Sequence, residues 1–408
     1  MRLETDLDHI HSHWYEFQKE FCIFWWRGVA LGHFFLEGKE RDIANVPFLQ
    51  AVNVIASSLE LQKITKSKIQ LIISALIDGD QTALNDILSS VFTDSELLTV
   101  SSKADISVVI CTRNRSKELK ECLHTLLTQF TKPAEIIVVD NAPTDDTTWL
   151  VCNEFGNVKY LKEDRKGLDI ARNTGAKFAG CPLIVYLDDD VVVDPYWLYH
   201  IQNSFGDKSI DAITGLVLPL QLETESQFIF ERYWTFNKGY AKHLYNDEFL
   251  QSTPSECPKV WNIGAGANMA FRKEVLQKAG YFDERLDAGA AGCSGDSEIW
   301  FRILLIGGKI LYEPRAIVYH KHRREMKELR SQLFYYMRGN VVASLIQHEL
   351  APHLNYREHV FKGMGVNYFL QFIQKIRRPT LRQKTVVPEV MGVLSGILYY
   401  FRNRVKHN

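Results

Sequence analysis

Three consecutive aspartates, Asp188, Asp189 and Asp190, are the residues of this sequence best suited to chemistry. They follow the apolar run 183–187, which comes after Pro182 and is typical of a buried strand. Three carboxylates at a strand end repel one another unless solvent or a cation neutralises them. Clustered oxygen ligands suit Mg²⁺ or Mn²⁺, which commonly bind together with phosphate oxygens. The triplet predicts a metal–phosphate site at the edge of a sheet, with a solvated turn as the alternative.

Other predicted strands also end in polar residues. The apolar run 106–110 leads into the loop Thr112–Asn114, the run 135–139 ends at Asp140, and a further strand is predicted at 157–161. Amphipathic helices separate these strands. The alternation predicts an α/β fold with a central, mostly parallel sheet and helices on both faces. Ligands of such sheets bind beyond the carboxyl ends of the strands, where these polar residues converge.

Sequence character divides the chain into three predicted regions. Residues 1–100 are expected to form a helical N-terminal region with a structural or partner-binding role. Residues 101–325 would form the sheet domain, and residues 326–408 a helical C-terminal region. The aromatic stretch from Phe21 to Leu36 is shorter than a membrane span and predicts a core or interface helix.

The C-terminal region combines basic and apolar segments. Basic residues cluster around Pro379, and an apolar stretch from Val390 to Phe401 is followed by more basic residues. This stretch is too short to cross a bilayer. It predicts either peripheral contact with an anionic membrane surface or packing on its own domain or on a subunit partner. The basic residues are Lys375, Arg377, Arg378, Arg382 and Lys384 in the cluster, and Arg402, Arg404 and Lys406 after the stretch.

Bulk properties exclude several classes of protein. The 408 residues are 46% apolar and carry a net charge of −1, so no global field recruits nucleic acid. Seven cysteines without a CxxC pair predict neither a zinc knuckle nor a disulfide framework, and fit a reducing compartment. The acidic amino terminus lacks a signal-peptide pattern, so we expect a cytoplasmic protein. Contact of its tail with the inner face of the membrane is one of the two alternatives given above. A P-loop nucleotidase and a dinucleotide fold are disfavoured, because neither a Walker sequence nor GxGxxG follows the first strand.

Four segments in a fixed order make the sequence resemble glycosyltransferase family 2, the inverting nucleotide-sugar enzymes with the GT-A fold. They are ISVVICTRN at 106–114, IIVVDNAPTD at 136–145, GLDIARNTG at 167–175 and LDDD at 187–190. Later segments that also match are GAGANMAF at 264–271, Gly280–Asp283, Gly295–Glu298 and Val318–His320. The resemblance covers residues 105–340. It implies a GT-A-type nucleotide-diphospho-sugar transferase fold, flanked by helical N- and C-terminal regions that lie outside the resemblance.

The resemblance implies that the ends of the first strands bind the nucleotide. The nucleotide-binding residues expected from it are Thr112, Arg113, Asn114, Asp140, Arg172, Asn173 and Asp188. In the family, the acid at the position of Asp140 contacts uracil or an equivalent base; an Asx turn is the alternative. A helix cap or a solvated face is the alternative for Arg172 and Asn173.

The resemblance also implies a metal centre. Asp188 and Asp190 match the outer positions of the family's DXD motif, in which Asp190 would hold the cation on the diphosphate and Asp188 would face the ribose or the metal. His320 matches a histidine that completes the coordination in relatives, and His322 is a near alternative. The expected cofactor is Mn²⁺ or Mg²⁺, with an imidazole ligand slightly favouring Mn²⁺. The cation would stabilise the departing nucleoside diphosphate.

Asp296 is the expected general base. Inversion at the anomeric carbon is a single displacement, so one carboxylate must take the proton of the acceptor hydroxyl. The family places this acid at the start of a helix as the second residue of a Glu-Asp or Asp-Asp pair. Here the pair is Gly295-Asp296, so the first acid is missing. Asp296 could also cap the helix, and the two roles are compatible.

Further residues are expected on the donor and acceptor sides. Gly264 and Gly266 would let the backbone approach the donor sugar closely. Asp189 and Trp300 are assigned to donor or acceptor contacts, and Asp283 fits an acceptor-side position weakly. The aromatic residues between 228 and 245 could stack on an acceptor sugar, cover the site as a lid, or belong to the core.

The sequence thus predicts a metal-dependent hexosyltransferase. It would move a sugar from a nucleotide-diphosphate donor, with a UDP-sugar favoured, to a hydroxyl of a glycan, lipid-linked or protein acceptor, as in polysaccharide biosynthesis. A homo-oligomer is compatible with the sequence, and no nucleic-acid partner is expected. The alternatives are a sugar nucleotidyltransferase and a catalytically inactive GT-A-like binding or scaffold protein. The late family segments favour transfer over the first, and the intact aspartates argue against the second.

Overall fold

The computed structural model describes residues 2–7, 21–35, 46–92, 102–251, 256–377 and 380–403. Its strands are β1 (Arg2–Asp6), β2 (Phe21–Trp26), β3 (Val29–Phe35), β4 (Lys103–Thr112), β5 (Lys132–Asn141), β6 (Val158–Glu163), β7 (Leu183–Asp188), β8 (Val191–Val193), β9 (Ala212–Pro219), β10 (His243–Tyr245), β11 (Asn268–Arg272) and β12 (Ile310–His320).

The strands alternate with helices along the sheet domain, and helices dominate the C-terminal region. The helices are α1 (Val46–Leu61), α2 (Lys66–Asp78), α3 (Gln81–Val91), α4 (Ser116–Leu127), α5 (Thr147–Asn153), α6 (Leu168–Phe178), α7 (Trp197–Ser204), α8 (Glu225–Trp234), α9 (Asp247–Gln251), α10 (Lys273–Lys278), α11 (Gly295–Leu305), α12 (Met326–Leu350), α13 (Tyr356–Glu358), α14 (Met364–Arg377) and α15 (Val386–Asn403). Short 3₁₀ or π segments lie at Val260–Asn262, Pro352–Leu354, His359–Gly363 and Leu381–Lys384.

A mixed sheet forms the centre of the molecule. Its order within the described residues is β10-β12-β9-β11-β7-β4-β5-β6, with β8 paired to β12. Strands β7, β4, β5 and β6 are parallel, β9 is parallel to β12, and β11 runs antiparallel between β7 and β9. The near-continuous apolar runs of these strands arise because helices cover both faces.

The two faces of the sheet bury separate apolar cores. Val108 and Ile110 of β4 point to the side covered by α4 and α7, whereas Val109 points to the side covered by α6 and α11. Gly175 of α6 leaves no room for a side chain above Val109 and Val139, so this helix lies close on the sheet. The α/β class and the mostly parallel centre are therefore confirmed.

The predicted helix from Phe21 to Leu36 is wrong over its described part. Phe21–Trp26 and Val29–Phe35 form an antiparallel hairpin, with Trp26 paired to Val29 across the turn Arg27-Gly28. Both turn residues have positive φ, 44° and 78°, which matches the twist of a two-residue hairpin. Both faces of the hairpin are apolar because one packs on α1–α3 and the other on β9 and β12. This double burial removed the alternation that marks a strand.

Helices α12 and α15 pack closely in the C-terminal region. A side chain on Gly392 or Gly396 of α15 would collide with the backbone carbonyls of Phe334 or Arg338 in α12. Within the described residues, no helix combines the length and hydropathy required to cross a bilayer. The predicted limits of the three regions stay predictions, although the described part of the N-terminal region contains a sheet besides the helices α1–α3.

Candidate active site

The polar ends of β4, β5 and β7 meet at one edge of the sheet. Thr112 lies opposite Asp140 in the β4–β5 pair, and Cys111 lies opposite Asp188 in the β4–β7 pair. Asp190 lies in the short turn between β7 and β8. The convergence inferred from the apolar runs is thus present in the folded chain.

Asp188, Asp190 and His320 form the candidate metal centre. One ligand atom from each of these residues lies within 4.8 Å of the others. His320 ends β12, whose pairing with β8 brings it opposite Val191, and its Nε2 is 3.2 Å from Asp190 Oδ1. Two carboxylates and one imidazole are a donor set suited to Mn²⁺ or Mg²⁺. These are the three ligands expected from the sequence.

Arg115 belongs to this centre, although the sequence reasoning stopped at Asn114. Its guanidinium donates to both Asp189 and Asp190, at 2.6 Å each. Asp189 also accepts from the Thr112 hydroxyl at 2.6 Å. Asp189 is thus held by Arg115 and Thr112, whereas Asp190 is shared between Arg115 and His320. The position of Arg115 directly after the strand-end loop was a signal for its role.

A buried chain of side chains orients His320. Its Nδ1 lies 3.3 Å from Nδ1 of His322, and Nε2 of His322 lies 2.8 Å from a carboxylate oxygen of Glu231 in α8. A carboxylate can only accept, so His322 carries its proton on Nε2 and offers Nδ1 as an acceptor to His320. This arrangement fixes a proton of His320 on Nδ1, so that Nε2, which faces Asp190, is the nitrogen that would bind a metal. His322 is therefore placed behind His320.

The three carboxylates of the triplet have different pKa values because different charged groups surround them. Burial raises the pKa of Asp188, and the neighbouring charge of Asp190 raises it further. Burial also raises the pKa of Asp189 to about 7, in spite of Arg115. Burial acts the same way on Asp190, but His320 and Arg115 outweigh it and hold its pKa well below the ordinary range. Asp190 therefore keeps its charge to a lower pH than Asp188 and Asp189.

Asp296 lies in the first turn of α11, opposite the loop before β11. One carboxylate oxygen accepts from the Gly266 amide at 2.8 Å, and the other accepts from the Ser297 amide at 2.6 Å. A side chain on Gly266 would touch Asp296 and Arg172. The N-cap of α11 is Ser294, so the alternative in which Asp296 caps the helix is wrong. Asp296 accepts from the amide of the next residue, and its carboxylate also lines a cavity of about 890 Å³.

Asp169 and Arg172, both on α6, supply the surroundings of Asp296. The Arg172 guanidinium donates to Asp169 at 2.9 Å and to Asp287. Asp169 packs against the start of α11 so closely that Gly295 has no space for a side chain. The carboxylate that the Gly295-Asp296 pair lacks is thus replaced in space by one from α6.

Electrostatics tie the candidate base to the metal centre. Burial raises the pKa of Asp296, and the charge of Asp287 adds to this, whereas Arg172 opposes it. The positive charge of Arg172 also opposes the rise in the pKa of Asp188. The same guanidinium therefore acts on both the candidate base and the metal centre. Lys238 lines the cavity with Asp296, and burial lowers its pKa, partly offset by the charge of Asp296.

The other expected nucleotide residues lie near the same edge. Arg113 is exposed and donates to the Ala142 carbonyl, and Asn114 accepts from the Thr144 amide. Asp140 is buried and accepts from Tyr160, while its Oδ1 has no hydrogen-bond partner among the described residues. The side chain of Asp140 is completely buried, and its contact with a nucleobase stays a prediction.

Two residues expected at the nucleotide have structural bonds. Both polar atoms of the Asn173 amide bind the Phe282 backbone, at 2.9 Å each. Arg172 is buried between two carboxylates. Their contacts with a nucleotide stay predictions, and the observed bonds give both a role in holding α6 to the loop before α11.

The expected donor and acceptor contacts meet different outcomes. Trp300 is completely buried in the core, which contradicts a contact with sugar. Asp283 pairs with Arg285. Gly264 lines the cavity, so its backbone borders open space. On its other side it lies so close to Thr214 that a side chain would not fit. Of the aromatic segment, Trp234 and Phe236 line the cavity, whereas Phe230 belongs to the core.

Comparison with known proteins assigns the sheet domain. Residues 107–280 match the family described as Glycosyl transferase family 2. Pre-mycofactocin glycosyltransferase of Mycobacterium tuberculosis is 24% identical over 241 residues, which are 58% of this chain and 46% of that protein. Chondroitin synthase of Escherichia coli is 26% identical over 243 residues, which are 53% of this chain and 34% of that protein. The chain therefore spans less than half the length of these curated relatives.

A solved structure supports the same assignment at the level of fold. Mannosyltransferase PcManGT from Pyrobaculum calidifontis, in complex with GDP-Man and Mn²⁺, superposes with a TM-score of 0.51 at 15% identity. The match covers 83% of this chain and 99% of that one. The GT-A fold that the ordered segments predicted is confirmed, and residues 107–280 match the model of the predicted family.

Proposed function

Because this chain carries a glycosyltransferase family 2 domain, we propose that it transfers a sugar from a nucleotide-diphosphate donor to a hydroxyl group, with inversion at the anomeric carbon. The observation that carries the proposal is the cluster of Asp188, Asp190 and His320 at the sheet edge where β4, β5 and β7 end. Asp296 lines a cavity, to which we assign the acceptor.

Two parts of the chain divide the work. Asp188, Asp190 and His320 would hold a divalent cation, which would neutralise charge on the leaving nucleoside diphosphate. Asp296 accepts the proton of the acceptor hydroxyl as its oxygen bonds to the anomeric carbon and the bond to the diphosphate breaks. Its raised pKa makes it a better proton acceptor than an ordinary aspartate. The positive charge of Arg172 stabilises the charged forms of the buried carboxylates Asp188 and Asp296.

The donor is proposed in a definite order of preference. A UDP-sugar is the first candidate, because the family resemblance assigns a uracil contact to Asp140, near the end of β5. GDP-mannose is the second, because the mannosyltransferase with a similar fold was solved with it. A glycan, lipid-linked or protein hydroxyl is the acceptor class, consistent with polysaccharide biosynthesis.

Nucleotide release from a panel of sugar nucleotides tests the proposal. We expect one donor to release its diphosphate in the presence of Mn²⁺ or Mg²⁺, and EDTA to abolish release. Asp190→Ala should remove it, and Asp296→Asn should lower transfer by about 10²–10⁴-fold. Metal-independent release would contradict the metal centre. A nucleotidyltransferase would instead release pyrophosphate from a nucleoside triphosphate, and an inactive binding protein would bind donors without turnover.

Peripheral membrane contact of a cytoplasmic protein through its C-terminal tail remains part of the proposal. Two members of the predicted basic cluster are engaged within the chain, since Arg382 pairs with Glu389 and Lys384 pairs with Glu225. The side chains of Lys375, Arg377 and Arg378 lie outside the described set. A homo-oligomer stays a prediction.

A further inference from the structure

Helix α15 presents an apolar stripe to solvent. Its inner face, with Gly392, Val393 and Gly396, packs on α12. Its outer face has apolar residues at helical spacing, each between 57% and 60% exposed. They are Val387, Met391, Leu394, Leu398 and Phe401. An exposed stripe of five large apolar side chains on a single helix marks an interaction surface.

Helix α14 adds a second exposed apolar face. Val366, Phe369, Leu370 and Phe372 are each between 57% and 64% exposed. The Tyr368 hydroxyl donates to Glu389 of α15 at 3.2 Å, which joins the two helices. The helix pair therefore presents nine exposed large apolar side chains, an amount that soluble helices seldom leave uncovered.

The charge of the C-terminal segment indicates what would cover the apolar faces of α14 and α15. Residues 361–408 contain nine lysines and arginines and one acidic residue, Glu389, whereas the whole chain has a net charge of −1. Glu389 itself is buried and paired with Arg382. Apolar helix faces in a strongly basic segment match a bilayer that carries anionic lipids. Pairing with the same face of a second copy would bring two strongly positive segments together.

The cavity gives the surface a functional connection. It is lined by Asp296 at one side and by Met364, Asn367 and Tyr368 of α14 at another. The helix whose outer face is apolar thus forms a wall of the space next to the candidate base. An acceptor carried by a lipid could reach this space from the surface on which α14 lies.

We propose that the outer faces of α14 and α15 dock on an anionic bilayer and present the cavity to a lipid-linked acceptor. The proposal rests on the proposed function for the role of the cavity, whereas docking itself depends only on the helix pair. Docking needs no membrane-spanning segment, because the apolar faces would enter only the interfacial layer.

Co-sedimentation with vesicles tests the docking. Vesicles of phosphatidylcholine are compared with vesicles that also contain phosphatidylglycerol, at low and high salt. We expect binding to the anionic vesicles that weakens with salt, and Leu394→Glu/Leu398→Glu to weaken it by about tenfold or more. Leu71→Glu, on the exposed face of α2, is the matched control and should bind as the wild type does. Urea denaturation verifies that all variants remain folded.

Other outcomes overturn the proposal in distinct ways. Equal vesicle binding by wild type and Leu394→Glu/Leu398→Glu, or no binding by wild type, rejects the surface. A wild-type dimer in light scattering that the double variant converts to a monomer, with vesicle binding unchanged, assigns the face to a second copy instead. Nucleotide release without vesicles should be the same in both proteins. Its absence in wild type would reject the proposed function while leaving the docking result valid.

Discussion

The carboxylate of Asp169 occupies the space that a side chain on Gly295 would need. A Cβ at that glycine would lie 2.7 Å from Cγ of Asp169, which is far closer than carbon atoms pack. Asp169 is on α6 and Gly295 begins α11, so the contact joins two elements more than a hundred residues apart. A carboxylate therefore lies beside Gly295, the residue before Asp296, although the sequence pair Gly295-Asp296 has no acid at that position.

Gly295→Ala should destabilise the protein and impair transfer. The added methyl must displace Asp169, which disturbs its bond to Arg172, and overpacking of this kind costs about 1–3 kcal/mol. Gly365→Ala is the matched control, because this helical glycine has nothing within 4 Å of the new methyl. Urea unfolding and donor turnover measure the two effects. Equal stability of the two variants would show that the contact with Asp169 is easily relieved.

Glu231→Gln should weaken metal binding without a contact to the metal. Glu231 fixes the proton of His322 on Nε2, and through it the proton of His320 on Nδ1. An amide can donate as well as accept, so the order of protons along the chain is lost. We expect Mn²⁺ affinity to fall about 10–100-fold in calorimetric titration.

Glu313→Gln is the control for this variant, because Glu313 is equally buried but bonds to Ser204 and Lys242. Unchanged Mn²⁺ affinity in a folded Glu231→Gln protein would contradict the orienting role.

The pH dependence of transfer should report the surroundings of Asp296. The base acts as a carboxylate, so transfer falls as pH drops through its raised pKa, above the ordinary value of about 4. Asp287→Asn removes a like charge, lowers the pKa of Asp296, and should move the acid limb of the rate profile to lower pH. Turnover measured across pH in both proteins tests this. An acid limb at the same pH in both would assign it to another group.

Arg115→Met should strengthen Mn²⁺ binding in the absence of donor. The guanidinium neutralises Asp189 and Asp190 and competes with a cation for the latter. Without it, we expect an affinity about three- to tenfold higher in calorimetric titration. Arg113→Met is the control, since Arg113 is exposed and donates only to the Ala142 carbonyl among the described contacts. A weaker affinity in Arg115→Met would mean that the arginine preorganises the carboxylates instead.

The local pattern of the sequence was sufficient for the sheet and its metal edge. Apolar runs identified β4, β5 and β7, and the rule for parallel sheets placed Asp140 and Asp188 together. The hairpin at Phe21–Phe35 was not predicted, because burial on both faces erases the alternation of apolar and polar residues that marks a strand. Its turn, Arg27-Gly28, was the remaining local signal.

The supporting residues of the site could not be read from spacing. Glu231 reaches His322 from 91 residues away, and Arg172 reaches Asp287 across 115 residues. Trp300 shows an error of the opposite kind. Its position in a family segment suggested a contact with sugar, but on α11 its side chain is buried in the core. Contacts of this range depend on packing of whole elements, which no window of sequence contains.

Glu135→Gln should lower stability at neutral pH but not in acid. Burial raises the pKa of Glu135, but hydrogen bonds from Lys159, Ser107 and the Gly180 amide outweigh it and lower the pKa from 4.5 to about 2. A carboxyl whose pKa is depressed by folding stabilises the protein above its unfolded pKa, and this contribution disappears between pH 4.5 and about 2. Urea unfolding at neutral pH should show a loss of about 1–3 kcal/mol in the variant.

The difference between the two proteins should then shrink as the pH falls below 4.5. Glu154→Gln provides the comparison, because the Lys120–Glu154 pair is about half exposed and contributes little. A Glu135→Gln deficit that stays constant down to pH 2 would mean that the bonds to Glu135 stabilise the fold independently of its charge.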